Sequence, residues 1–203
     1  MERFADIEIL RYELTGFEKL SLREKRLVYC LSQATLWGRD ITFDQYGAYN
    51  LKIRQLLECI YTYFGEAKCG DEDYAHLVVY LKRIWFSNGI HHHYSGMKIQ
   101  PGFSREYFVR LVKSIPAENN ALLETTNIDV LLDELLPVMF DEDVMPQRVN
   151  HSDGEDLVAT SASNYYEGVT DAEVQAYYNE KKQADDKPSW GLNSRLSKKD
   201  GVL

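Results

Sequence analysis

Three consecutive histidines, His91, His92 and His93, form the densest cluster of chemistry-bearing side chains in the sequence. Imidazole is the commonest zinc ligand, and a catalytic zinc takes three protein ligands with a fourth position open. Consecutive residues serve that purpose poorly. In an extended chain neighbouring side chains point to opposite faces, and on a helix they fan by about 100° each, so His91 and His93 can share an ion while His92 points away. No Glu or Asp nearby completes a set. We therefore read them as structural or substrate-facing loop histidines and assign no metal ligand. Cys30, Cys59 and Cys69 are odd in number and lack C-x-x-C spacing. Cys30 and Cys59 fall in apolar helical patterns, where buried, reduced and inert thiols are expected, which points to a reducing setting. Asp141, Glu142, Asp143, Asp153, Glu155 and Asp156 lack the ligand spacing of a calcium loop and read as solvated surface. The sequence contains no H-E-x-x-H or H-E-x-x-x-H pair, Gly-rich phosphate loop or G-x-S-x-G elbow. No catalytic residue is assigned.

The elements around the histidines are predominantly helical. Ile7, Ile9 and Arg11 alternate imperfectly with Glu8 and Leu10, which suits a short strand or an extended lead-in. Ser21 and Glu24 form a capping box, opening a helix whose apolar face carries Leu27, Cys30, Leu31, Ala34 and Leu36 as far as Gly38, a residue able to end helices in the left-handed conformation. Asp44 to Gly47 reads as a turn. Leu51, Ile53, Leu56, Leu57, Ile60, Tyr63 and Phe64 then mark a second helix, and Gly70-Asp71 opens a third with Leu77, Val78, Tyr80, Leu81, Ile84 and Trp85 as its buried stripe. Asn88-Gly89 stops that helix and releases the histidines into a loop or irregular hairpin, residues 90–103, that holds Gly96, Pro101 and Gly102. Ser104 caps the next helix, Asn127 a further one in which Pro137 makes a kink or an end, and Thr170 with Glu173 a last one running to about Asp185. Trp190 to Leu196 reads as a strand with no obvious downstream partner. The expected organisation is a helical subdomain over residues 1–140, an acidic surface linker over 141–160, and a helix plus strand over 161–203.

Composition closes off several classes. With 44% hydrophobic and 27% charged residues the 203-residue chain has an ordinary globular mix, so disorder and fibrous repeats do not fit. A formal charge of −9 without a basic, aromatic-interleaved patch argues against nucleic acid as a partner. No apolar run approaches the roughly 20 residues needed to cross a bilayer, and the first residues lack the basic-then-apolar order of a signal peptide, so no membrane partner is expected. The location expected is cytoplasmic, or periplasmic if an upstream leader is removed.

A resemblance extends this reading. Leu22-Arg23-Glu24-Lys25-Arg26-Leu27-Val28-Tyr29-Cys30-Leu31-Ser32-Gln33-Ala34, followed by Trp37-Gly38, resembles the first long helix of dipeptidyl peptidase III enzymes. Trp85-Phe86-Ser87-Asn88-Gly89, leading through the histidines to Lys98-Ile99-Gln100-Pro101, resembles that family's S-N-x-G and K-F-x-P pattern, and its GIHHHY form is most similar to the bacterial branch. Gly191-Leu192-Asn193-Ser194-Arg195-Leu196 is similar to the family's aromatic-x-N-T/S-R-L segment. The resemblance implies a two-lobed zinc aminopeptidase that removes dipeptides from the N-terminus of short peptides. Its zinc ligands would come from H-E-x-x-G-H and E-E-x-R/K-A-E/D helices in the other lobe, and this sequence contains neither motif. The fold expected is accordingly mainly α, the helical N-terminal part of the lower lobe, with a few short strands of a β-barrel core completed elsewhere. Alone it is expected to be inactive, with the remainder of the parent polypeptide as its partner and the parent's zinc bound outside this chain. The resemblance places Tyr94 among the aromatics lining the peptide subsites; the alternative is that Tyr94 packs its loop against the third helix. A rival of another class is a stand-alone helical protein-binding module, and a small metalloenzyme built on the histidines is a distant third.

Overall fold

A computed structural model describes residues 2–68, 70–119, 122, 127–183 and 195–202. The chain begins with an antiparallel hairpin of β1 (Glu2–Phe4) and β2 (Ile7–Ile9), registered Glu2 to Ile9 and Phe4 to Ile7. Phe4 and Ile7 turn inward and are buried, so the ambiguous opening is a strand. The tip is tight enough to hold Ala5 at φ 47°.

Helix α1 (Leu22–Trp37) starts where the capping box places it: Ser21 accepts from the Glu24 amide, and the Glu24 carboxylate accepts from the Ser21 amide at 2.7 Å. Its apolar residues do not pack. Leu27 and Leu31 are 59% and 58% exposed, and no residue of the helix is buried, Cys30 included. The expectation of a buried Cys30 is therefore corrected. Gly38 is corrected too, because its φ of −76° is right-handed and α2 (Arg39–Tyr46) follows at once. The turn expected at 44–47 is the last turn of α2, capped by Gly47. Only Phe43 of α2 is buried, so the segment offers no apolar period to read.

Among the described residues the core sits between four helices that turn apolar side chains inward. From α3 (Asn50–Phe64) come Ile53, Leu56, Leu57 and Ile60, with Cys59 buried as expected. Tyr74, Leu77, Tyr80, Leu81 and Ile84 come from α4 (Glu72–Ser87). The third contributor is α5 (Arg105–Lys113), with Tyr107, Phe108, Leu111 and Val112. The fourth is α6 (Ile128–Phe140), with Leu131, Leu135 and Met139 among its buried residues. Each such side chain stabilises the fold by roughly 1.5–3 kcal/mol relative to exposure. Trp85 departs from its stripe: it is 39% exposed, and its indole N–H donates to Glu58. Side chains of Asp71, Ser104 and Asn127 cap α4, α5 and α6. Pro137 lies inside α6, which continues to Phe140 rather than ending there.

Helix α7 (Asp171–Gln183) begins at its own capping box, Thr170 accepting from the Glu173 amide and Glu173 from the Thr170 amide. Between α6 and α7 lies β3 (Tyr166–Glu167), paired in parallel with β4 (Leu196–Ser197). Of the strand expected at 190–196 only Arg195 and Leu196 are described, and the partner of Leu196 is upstream. Residues 190–194, with most of the third resembling segment, lie outside the described residues, as does Cys69. The protein is mainly helical with a few short strands. Among the described residues no helix is long and apolar enough to cross a membrane.

Candidate functional site

The histidine loop is held at its root by one buried amide. Asn88 ends α4 in the left-handed conformation, φ 56°, and Gly89 follows at φ 150°. A Cβ on Gly89 would stand 2.3 Å from Nδ2 of Asn50, so only glycine fits beside that side chain. Asn50, 1% exposed, donates through Nδ2 to the Phe43 carbonyl and accepts through Oδ1 from the Ile90 amide, both at 3.2 Å. The end of α2, the start of α3 and the start of the loop therefore share one residue. Asn50 carries no motif in the sequence; the cap position is Tyr49 and the Asn50 amide turns inward.

Beyond that root the loop folds on itself. The Ile99 amide donates to the Ile90 carbonyl, the His92 amide to Met97, and the Gly96 amide to His92, so residues 90–99 form an irregular hairpin with Tyr94 near its tip. The start of the acidic segment lies along the other edge, where the Lys98 amide donates to Pro146, the Arg148 amide donates to Gly96, and Met97 bridges Gln147. Lys98 Nζ donates to the carbonyls of Asp141 and Val144. Burial pushes the Lys98 ammonium down from its ordinary range, opposed by the nearby Asp141 and Glu142.

The three histidines diverge. His91 is 2% exposed and donates from Nε2 to the Met145 carbonyl at 2.9 Å, while its Nδ1 is buried without a partner. Burial lowers its pKa to about 4, against the raising effect of the Met145 bond, so the ring is neutral in the folded protein near pH 7. His92 Nε2 lies 3.0 Å from Oδ2 of Asp6 at the hairpin turn, and its Nδ1 lies 3.3 and 3.2 Å from the amides of Tyr94 and Ser95. Asp6 also pairs with Arg83 of α4. Its own backbone amide, then His92 and Arg83, hold the carboxyl below the usual carboxylate range against partial desolvation. His93 is exposed and sets its ring edge-on to Phe86, 4.8 Å between centroids. Imidazoles aimed at a carbonyl, a carboxylate and a phenyl ring do not make a zinc donor set. Among the described residues no three His, Cys, Asp or Glu side chains gather so as to hold a metal ion.

Tyr94 stands out from the loop, 90% exposed. Packing against the third helix is thereby set aside. Its amide is held by His92 Nδ1 while the phenol is left to solvent. A cavity of about 340 Å³ lined by Tyr165, Tyr166, Val174 and Tyr178 lies on other elements and includes none of the histidines. Asp6, which no motif flags, joins the site only because the N-terminal hairpin folds back 86 positions in sequence to reach His92. No family model matches the chain, and no curated protein matches it.

Proposed function

We propose that this chain is the N-terminal helical part of a zinc-dependent dipeptidyl peptidase resembling the dipeptidyl peptidase III enzymes, and that it contributes Tyr94 to the wall of a peptide-binding cleft. The observation that carries the reading is the presentation of Tyr94: an aromatic side chain 90% exposed near the tip of a hairpin whose strands are bonded to each other and, along one edge, to residues 146–148. A large apolar side chain with a polar tip, held rigidly and left uncovered, is how binding surfaces present aromatics. The segment that presents it, Trp85 to Pro101, is one of those that carry the resemblance. Zinc, the water-activating carboxylate and the oxyanion stabilisers would be supplied by sequence outside this chain, as would the strands completing a barrel core in the lower lobe. Short peptides are the substrate class.

A bare α1 supports the same reading. A 16-residue helix that exposes Leu22, Leu27, Leu31, Leu36 and Trp37 and buries nothing has the surface of an element meant to be covered, as the remainder of a parent polypeptide would do. That helix also favours the second reading, a stand-alone helical protein-binding module, which leaves the rigid display of Tyr94 without a purpose.

The test is steady-state kinetics of the product of the complete reading frame on an arginyl-arginyl naphthylamide. If the frame encodes H-E-x-x-G-H, Tyr94→Ala is expected to raise KM with kcat nearly unchanged, since a wall contact is gained about equally in ground and transition states. Losing some 40–80 Å² of apolar contact corresponds to about 1–2 kcal/mol, or roughly 5- to 30-fold in kcat/KM, and Tyr94→Phe should cost little. A normally melting Tyr94→Ala enzyme with parental KM would overturn the subsite role. A frame lacking the zinc motif would favour the binding module.

A further inference from the structure

We propose that His92 is a positioning residue for Tyr94: its unprotonated Nδ1 holds the turn that presents the phenol, its Nε2–H ties that turn to the N-terminal hairpin, and protonation of the ring releases the turn. What this means for a peptide rests on the function proposed for Tyr94; the turn itself does not. Both backbone amides that approach Nδ1, those of Tyr94 and Ser95 at 3.3 and 3.2 Å, are donors, so this nitrogen must offer its lone pair. The single proton of the neutral ring then sits on Nε2 and is donated to Asp6 Oδ2 at 3.0 Å. The tautomer is fixed from both ends.

An imidazolium carries a proton on both nitrogens, which sets an N–H against two N–H groups. Charged and titratable groups surround the ring. Asp6, at the tip of the β1–β2 hairpin, faces Nε2; Arg83 of α4 lies 3.4 Å from Asp6, and the His93 ring is 4.3 Å away between centroids. The Lys82–Glu2 pair between α4 and β1 is close to self-neutralising. Ser95 Oγ, 3.3 Å from Nδ1, accepts in its turn from the Met97 amide. On protonation the hydroxyl can reverse from donor to acceptor, which the two amides cannot do. The consequence at the turn is that Tyr94 and Ser95 lose their shared acceptor, while the attachment to Asp6 gains charge. The hairpin stays fastened and the tip comes loose.

The experiment uses the intact chain, labelled with ¹⁵N. Long-range ¹H–¹⁵N spectra at about pH 8 should show His92 with Nδ1 unprotonated and Nε2 protonated. Amide exchange of Tyr94 and Ser95, expressed as protection relative to an unstructured peptide, should fall by roughly 3- to 10-fold as the His92 ring signals titrate, the range for losing one modest hydrogen bond. His92→Asn places an acceptor oxygen where Nδ1 was, as in an Asx turn, and should keep both amides protected and insensitive to pH. His92→Leu should leave both unprotected throughout, with the Ile99 amide, bonded to Ile90 in the same hairpin, still protected as a control for folding. A neutral ring protonated on Nδ1, protection that stays flat while the ring titrates, parental protection in His92→Leu, or loss at Ile99 together with the other two would each overturn the proposal. The amides report on the turn whether or not Tyr94 meets a peptide, so failure here is distinct from failure of the Tyr94→Ala kinetics.

Discussion

At the scale of single residues, burial divides side chains that look alike in sequence. His91 and His92 are neighbours, yet one is sealed beneath the loop and the other joins two elements. His91 has a consequence for stability. Its pKa of about 4 lies below the ordinary value of 6.5, so above pH 6.5 both folded and unfolded chains hold it neutral and its contribution is intact. As the pH falls from there toward 4 the unfolded chain takes up a proton that the folded one refuses, and stability is lost, up to about 3 kcal/mol from this residue. Urea unfolding at about pH 7 and about pH 4.5, with His91→Gln beside the parent, isolates the effect: the variant can still donate to Met145 but cannot titrate, and its stability should fall less over the interval. Equal slopes would mean that His91 is not excluded from protonation. The run of three histidines was plain in the sequence, and so was the geometric reason against a shared ion. Which of the three is buried was not, because that depends on Met145 and Asp6, which are distant in sequence and carry no motif. The contrast between Cys30 and Cys59 has the same origin: both lie in apolar helical patterns, and only tertiary contacts decide which pattern is covered.

At the scale of elements, helix starts were the most legible feature. Ser21, Asp71, Ser104, Asn127 and Thr170 all cap helices, because an oxygen that satisfies first-turn amides acts within three residues and needs no tertiary partner. Helix ends were less so. Gly38 can adopt a left-handed backbone but does not, since α2 carries the chain on; α2 itself has too few buried residues to announce a period. Least legible was the joint between elements at Asn50 and Gly89. Asn50→Ala should cost about 2–4 kcal/mol, as it removes two buried hydrogen bonds and leaves the Ile90 amide without its acceptor. Gly89→Ala should cost at least about 2 kcal/mol, through the approach to Asn50 and a φ that side chains rarely adopt. The double variant should be less destabilised than the sum by about 1 kcal/mol or more, because shortening Asn50 clears the space that the new methyl needs. Additive losses in chemical denaturation would show that the two residues do not share one constraint.

At the scale of the molecule, the chain divides into a packed body and an unpacked helix. Most of the core was foreseeable because the stripes legible on α3, α4 and α6 are largely buried, Tyr63 and Trp85 being exceptions, whereas α5 was legible from its cap alone. α1 displays a stripe of the same kind and exposes it, and nothing local separates the two cases. Leu27→Glu with Leu31→Glu should therefore leave the thermal melt of the chain within about 0.5 kcal/mol of the parent, whereas Leu56→Ala in the core should cost about 2–5 kcal/mol. A large loss from the α1 pair would mean that the helix is packed in solution. The hairpin that opens the chain bears on how the body is made. Glu2 and Asp6 find their partners at Lys82 and His92, 80 and 86 positions later. Closing so long a stretch is entropically slow, and during synthesis the first residues to leave the ribosome must wait for α4 and its loop before they can dock. Docking of the amino-terminal strands thus belongs to the last stages of folding, and the Tyr94 turn acquires its tether to Asp6 only after the helices beneath it have assembled.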